Sequence, residues 1–199
     1  MKSNNIHPIS DRLLNRNDKE NLLGQKGYVF WFCGLSGSGK STLAVHLEKD
    51  LHNAGIHSIV LDGDNLRSTI NQDLGFSESD RAENLRRVSE IAKILVSNGL
   101  VVIVSFISPK EQFRQAARGI IGQDSFREVF IKASFETCQG RDVKGLYAKV
   151  KAGEIDNFTG ASSSFEPPSN PWITIDTESE SPKNSSQELF CRIIKEVQI

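Results

Sequence analysis

An excess of charge of either sign is missing from this 199-residue chain: 24 Lys and Arg stand against 25 Asp and Glu, a formal net charge of -1. No overall basic field therefore points to nucleic acid as the principal partner. No apolar run is long enough to span a bilayer, so no membrane partner is expected. The opening residues, MKSNNIHPISDRLLNRNDKE, lack the apolar centre of a secretory signal, and a cytoplasmic protein is expected. Cysteine is scarce. Cys33, Cys138 and Cys191 are odd in number and widely spaced, which excludes a CxxC metal knuckle and a disulfide framework. Internal repeats and heptads are absent too. What is present is length enough for one α/β domain that buries a full core without staples.

Residues 1 to 26 read as a polar leader in which Leu13, Leu14, Leu22 and Leu23 spell a short docking helix. Residues 27 to 199 read as one domain in which strand and helix signals alternate. YVFWFC (28–33) is a continuous β-prone apolar run, the pattern of a strand buried on both faces. A glycine-rich turn follows, then a helix from Lys40 to Asn53, stopped by Gly55. HSIVLD (57–62) reads as a second strand. Ser77 with Asp80 opens a helix reaching about Asn98, and LVVIVSF (100–106) is a third strand. FREVFIKA (126–133) and WITIDT (172–177) complete the set. Ser185 with Glu188 caps a last amphipathic helix through Leu189, Ile193 and Val197. The expected fold is α/β, a parallel sheet of about five strands with helices on both faces. Its ligand site lies at the strands' carboxyl ends.

Gly34-Leu35-Ser36-Gly37-Ser38-Gly39-Lys40-Ser41 matches G-x-x-x-x-G-K-[ST] at every fixed position, between a buried strand and a helix start. The glycines let successive amides turn inward around phosphate oxygens, and the helix N-terminus adds partial positive charge. Lys40 can reach β- and γ-phosphates, and the Ser41 hydroxyl can ligate Mg²⁺. These residues predict a nucleoside triphosphate site and make the expected α/β fold one of the P-loop NTPase type.

Two further absences narrow the class. No N-K-x-D occurs, which argues against a GTPase, and the third strand ends without a metal-binding Asp. The acidic group sits instead after strand two, in Asp62-Gly63-Asp64-Asn65. There Asp64 could hold Mg²⁺ through water or accept the proton of an attacking hydroxyl; the same four residues also make a good turn and helix cap. On the next helix Arg81 and Asn84 continue the stripe of Val88, Ile91, Ala92 and Leu95, so Arg81 reads as an inward anion-binding side chain or as half of a structural ion pair. Ser108, Pro109 and Glu111 form a capping box with proline at the first helical position, and the cap also places a hydroxyl at a strand's carboxyl end. The charged, glycine-rich stretches Arg141–Tyr147 and Gly153–Gly160 read as a lid over about 141–166, or as a solvated insertion.

GLSGSGKST, LDGDNLR, LGFSESDRAENLRR, SFISP, RDVKGLY and AGEIDNFTG, in this order, resemble the adenylylsulfate kinase family over about Gly24 to Gly160. The resemblance implies transfer of the ATP γ-phosphate to the 3′-hydroxyl of adenosine 5′-phosphosulfate, giving 3′-phosphoadenylyl sulfate (PAPS) and ADP in sulfate activation. It assigns Gly34 to Thr42 to ATP, with Arg141 near the base. It assigns Asp64, Asn65, Arg67, Phe76, Arg81, Asn84, Ile107, Ser108, Lys144, Phe158 and Thr159 to the adenylylsulfate. Phe76 and Phe158 would stack on the acceptor's adenine, and Arg67 and Arg81 would hold its phosphosulfate. Lys40, Asp64 and Ser108 are the implied catalytic residues. Ser108 is implied either as a contact or as a phosphoserine, although direct in-line transfer needs only the former. Mg²⁺, held by Ser41 and Asp64, is the implied cofactor, and a homodimer is common in the family. The chain departs from the family pattern at Lys132-Ala133-Ser134, at Lys110, and at Ala161-Ser162-Ser163-Ser164-Phe165, with Glu166 kept. Two other readings remain: a P-loop kinase with a different nucleotide-linked acceptor, and a non-catalytic nucleotide-binding module.

Overall fold

A computed structural model describes residues 5–155, 158–160 and 163–199. In chain order the elements are α1 (Arg16–Leu23), β1 (Val29–Cys33), α2 (Lys40–Asn53), β2 (Ser58–Asp62), α3 (Gly63–Arg67), α4 (Glu78–Val96) and β3 (Val101–Ser105). They continue as α5 (Glu111–Ile121), β4 (Phe126–Lys132), α6 (Phe135–Arg141), α7 (Leu146–Lys151), β5 (Ile173–Asp176) and α8 (Pro182–Val197). The five strands form one parallel sheet in the order β2-β3-β1-β4-β5.

The central strand shows why the sheet is doubly covered. Along β1, side chains alternate faces, so Val29, Trp31 and Cys33 enter one core while Phe30 and Phe32 enter the other. The first core lies under α4 and α5, through Val88, Ala92 and Val96 and through Phe113, Ala117 and Ile121. The second lies under α2 and α8, where Leu43, Leu47 and Leu51 meet Leu189, Ile193 and Val197. Every β1 residue is fully buried, and each large apolar side chain removed from water there is worth about 1.5–3 kcal/mol. A strand so enclosed is a rigid mount for the loop that follows it.

The leader's helix forms, but not through the leucines expected to dock it. Leu13, Leu14 and Leu22 are exposed. α1 is held by polar contacts: Glu20 Oε1 accepts from the Gly27 amide (2.8 Å) and from Arg16 Nε (2.7 Å), and Arg16 Nη1 donates to Ser125 Oγ (2.5 Å). The buried Gln25 amide donates to the carbonyls of His57 and Gly99, each at 2.9 Å. Gly27 and Gly99 lie two residues before β1 and β3, and His57 and Ser125 one residue before β2 and β4, so α1 and the Gln25 that follows it close this part of the sheet's amino-terminal edge.

Two helix starts differ from expectation. α8 begins four residues early: Ser181 is its N-cap, accepting from the Asn184 amide, with Pro182 in the first turn, while Ser185 lies buried inside the helix. α5 begins at Glu111 with Lys110 at the N-cap position, and Ser108 is no cap. Its φ of +45° is incompatible with the extended backbone an N-cap needs.

Candidate active site

At the carboxyl edge of the sheet lies a cavity of about 1070 Å³. Its floor is the loop between β1 and α2. Gly34 and Gly37 take φ of +152° and +80°, and a Cβ on them would fall 2.4 Å from the Ile131 carbonyl oxygen and 2.9 Å from that of Cys138. Only glycine allows this approach. Gly39 (φ +97°) leads into α2 without a side-chain cap, so the first amides of a 14-residue helix stay open towards the cavity. Beneath the loop, Ser38 is fully buried and Leu35 packs into a cluster with Cys138, Tyr147 and Phe158.

Lys40 lies folded into the cradle. Its Nζ donates to the carbonyls of Gly34 (2.9 Å) and Leu35 (2.6 Å). Burial without an anion disfavours the ammonium and lowers its pKa to about 8. The Ser41 hydroxyl donates to Asp62 Oδ2 (2.8 Å) and lies 3.4 Å from Ser105 Oγ. Asp62 Oδ1 meanwhile accepts from the Asp64 amide and caps α3. A hydroxyl, a carboxylate and a second hydroxyl at a phosphate cradle are hard oxygen donors suited to Mg²⁺, which takes most of its remaining ligands from phosphate and water. The group fits. Asp62, rather than Asp64, stands against Ser41.

The acceptor side is built from α3, α4 and the turn after β3. Asp64 opens into the cavity and is ion-paired to Lys144, from the stretch between α6 and α7. Arg67 donates to the Gly75 carbonyl (2.8 Å) and its guanidinium lies 4.4 Å over the Phe76 ring. Arg81 Nε donates to the Phe76 carbonyl (3.0 Å) and Nη1 to Thr159 Oγ1 (3.1 Å). Burial first and the neighbouring Arg81 second lower the Arg67 pKa, against the nearby Asp80 and Asp64, so two guanidiniums stand close enough on this wall to act on each other. Asn84 is buried and accepts from Asn71 Nδ2 (2.7 Å). Ser108, also buried, accepts at Oγ from Trp31 Nε1 (3.0 Å).

Above lies the segment from Arg141 onward. Asp142 caps α7 by accepting from the Tyr147 and Ala148 amides, each at 3.0 Å. The Tyr147 hydroxyl donates to the Ser36 carbonyl (2.8 Å), pinning α7 to the phosphate loop. The Tyr147 ring meets Phe158 edge-on at 4.9 Å. Arg141 donates to the carbonyls of Gly37 (3.3 Å) and Thr177 (2.6 Å) at the opposite end of the cavity from Arg67.

The same cavity is thus lined by Ser36, Gly37, Gly39, Lys40, Ser41, Thr42 and Arg141 from the donor set, and by Asp64, Arg67, Phe76, Arg81, Asn84, Ile107, Ser108, Lys144, Phe158 and Thr159 from the acceptor set. Gly34, Leu35 and Ser38 belong to the same loop but do not line the cavity. Asn65 stands apart, exposed and outside the lining. Asp156 and Asn157 of the lid motif, and Ala161 and Ser162 among the departures, lie outside the described residues. The sequence reading missed Asp62, Ser105, Tyr147 and Thr177. For Asp62 a signal existed, an acid ending the strand beside the phosphate loop.

The adenylylsulphate kinase family model matches residues 26–176. An adenylyl-sulfate kinase of Bacteroides thetaiotaomicron is 49% identical over 197 residues, covering 99% of this chain and 98% of the relative. One of Bacteroides fragilis is 50% identical over 189 residues, covering 95% and 94%. Among solved structures, the Mycobacterium tuberculosis APS kinase in complex with AMPPNP and APS is 45% identical with a TM-score of 0.81, covering 85% of this chain and 98% of that one.

Proposed function

The chain belongs to the adenylylsulphate kinase family, and from that premise we propose that it transfers the γ-phosphoryl group of ATP to the 3′-hydroxyl of adenosine 5′-phosphosulfate, giving PAPS and ADP. The observation that carries this reading is one cavity with a phosphate cradle at its floor and the paired cations Arg67 and Arg81 on its far wall. A kinase with two anionic substrates needs both.

The glycine loop and the open end of α2 receive the triphosphate, and Lys40 leaves its carbonyl partners for the β- and γ-phosphates. Ser41 and Asp62 would hold Mg²⁺, which when bound neutralises phosphate charge. Arg67 and Arg81 bind the phosphosulfate by charge-assisted hydrogen bonds. Phe76 and Phe158 flank the acceptor's adenine. Asp64, released from Lys144, orients the 3′-hydroxyl and takes its proton, while Lys144 turns to the transferring group. Arg141 and Thr177 border the ATP base. Ser108 acts as a hydrogen-bond donor: Trp31 occupies one lone pair of Oγ, which leaves the O–H to point at the acceptor. No carboxylate or imidazole among the described residues hydrogen-bonds Ser108 Oγ to take its proton, which favours direct transfer over a phosphoserine. The homodimer common in the family is tested by sedimentation of the purified protein.

The decisive experiment is ADP release from Mg·ATP with adenylylsulfate, AMP or cytidine diphosphate compounds as acceptor. Turnover is expected with adenylylsulfate alone; equal turnover with another acceptor refutes the assignment. Asp64→Ala should abolish PAPS formation with ATP binding retained, and near-normal turnover would remove Asp64 from the mechanism.

A further inference from the structure

Three successive carbonyls leave the turn after β3 in three directions. That of Ile107 accepts from the Gly34 amide at the head of the phosphate loop (3.3 Å). That of Ser108 accepts from Arg114 Nη1 (2.8 Å). That of Pro109 accepts from the Glu166 amide (2.8 Å), at the far end of the lid segment. The Glu166 carboxylate in turn accepts from the Glu111 amide (2.7 Å), supplying the cap that α5 lacks from its own sequence. At the centre, Ser108 holds φ +45°, a left-handed backbone that a non-glycine residue keeps only when its surroundings impose it.

What imposes it is buried. Arg114 and Glu128, 1% and 3% exposed at the side chain, form an ion pair with Nε and Oε1 2.7 Å apart. Arg118 Nη2 reaches Glu128 Oε2 at 3.2 Å, and Arg114 Nη2 reaches Glu111 Oε2 at 2.5 Å. Trp31 pairs with Glu128 across the β1–β4 ladder and sends its indole N–H to Ser108 Oγ. Apolar residues of similar volume commonly match or exceed the stability of a buried ion pair, so stability alone does not explain one here.

We propose that the Arg114–Glu128 pair is a positioning device that locks the Ser108 peptide in its left-handed turn and so sets the acceptor wall, the phosphate loop and the end of the lid in one register. The inference rests on the kinase reading and deepens it: neither residue lines the cavity, and both act through Ser108.

Two variants test it. Arg114→Lys keeps a cation beside Glu128 but loses the fork that serves several acceptors at once. The double variant R114M/E128M leaves no buried charge unpaired between the two positions and should fold. Both are expected to stay folded, melting only a few degrees below the wild type because the Ser108 carbonyl loses its donor, to bind ATP within about threefold of it, and to show acceptor KM raised and kcat lowered by about tenfold each. Hydrogen exchange at the Glu111 and Glu166 amides should quicken in both, whatever acceptor is used. A folded variant with unchanged kinetics and unchanged exchange overturns the proposal, as does lost thermal stability with KM, kcat and exchange unmoved. If the wild type itself lacks adenylylsulfate-dependent turnover, the kinase reading fails alone, and the two amides still decide whether the pair holds the turn.

Discussion

Lys40 carries an electrostatic signature that bears directly on phosphate binding. Without nucleotide its ammonium rests on carbonyls in a buried cradle, and burial lowers its pKa from 10.5 to about 8. A triphosphate laid against it favours the charged form and raises the value again. At about pH 8.5, ATP binding should therefore take up a substantial fraction of a proton, and at about pH 6.5 almost none, because Lys40 is already charged there. Calorimetry in buffers of different ionisation enthalpy measures the uptake, and Lys40→Met should abolish it. Stability of the nucleotide-free protein follows the same linkage. From about pH 8 to 10.5 the unfolded chain binds more protons at this site, so Lys40's contribution to stability rises with pH across that window. The lysine was legible in the sequence because the whole cradle is contiguous. Its partners were not: Tyr147 meets the Ser36 carbonyl across 111 positions, and Thr177 meets that of Ser38 across 139. Asp62 was read as half of a turn motif, because its contact with Ser41 exists only once β2 lies two strands from β1.

The strands and long helices followed from apolar periodicity, since buried faces leave a repeating mark in the chain. Helix starts followed less well, because one cap motif can be read in two frames. Around α8, Ser181-Pro-Lys-Asn and Ser185-Ser-Gln-Glu follow one another directly, and proline, with φ already set for the first turn, favours the earlier frame. The outcome has a measurable consequence. Ser181→Ala removes the hydroxyl that accepts from the Asn184 amide and should cost about 1 kcal/mol. Ser185 Oγ is buried without a hydrogen-bond partner among the described residues, so Ser185→Ala should be neutral or stabilising. Urea unfolding of the two variants separates them; a larger loss for Ser185→Ala would show that the frame is wrong. Four of the residues that depart from the family pattern make local pairs. Lys132 pairs with Asp176, Lys110 with Glu78, and Ser134 caps α6 while donating to Glu178. Phe165 stacks on Phe130.

At the scale of the whole molecule the sheet has two ends with different duties. The carboxyl ends of the strands hold the cavity, and the amino ends of β1 to β4 are tied together by α1 and the Gln25 that follows it. This role of α1 was not legible: periodicity reports apolar faces, and this helix docks by charges and amides whose partners lie up to 109 positions away. The separation predicts that stability and catalysis can be altered independently. Glu20 is the sensitive point, for its carboxylate, 13% exposed, accepts from both the Gly27 amide and Arg16. Glu20→Ala leaves that amide without its acceptor at the entrance to the central strand. A loss of about 1–2 kcal/mol is expected, since the bond is to a charged group but only partly buried. KM for both substrates and kcat should stay at wild-type values well below the new melting temperature, because β1 spans the domain as one enclosed strand and carries no hinge between the two edges. Paired urea titrations and initial-rate kinetics test this. A changed acceptor KM in a fully folded Glu20→Ala protein would mean that the amino edge communicates with the cavity, and the sheet could no longer be treated as a rigid mount.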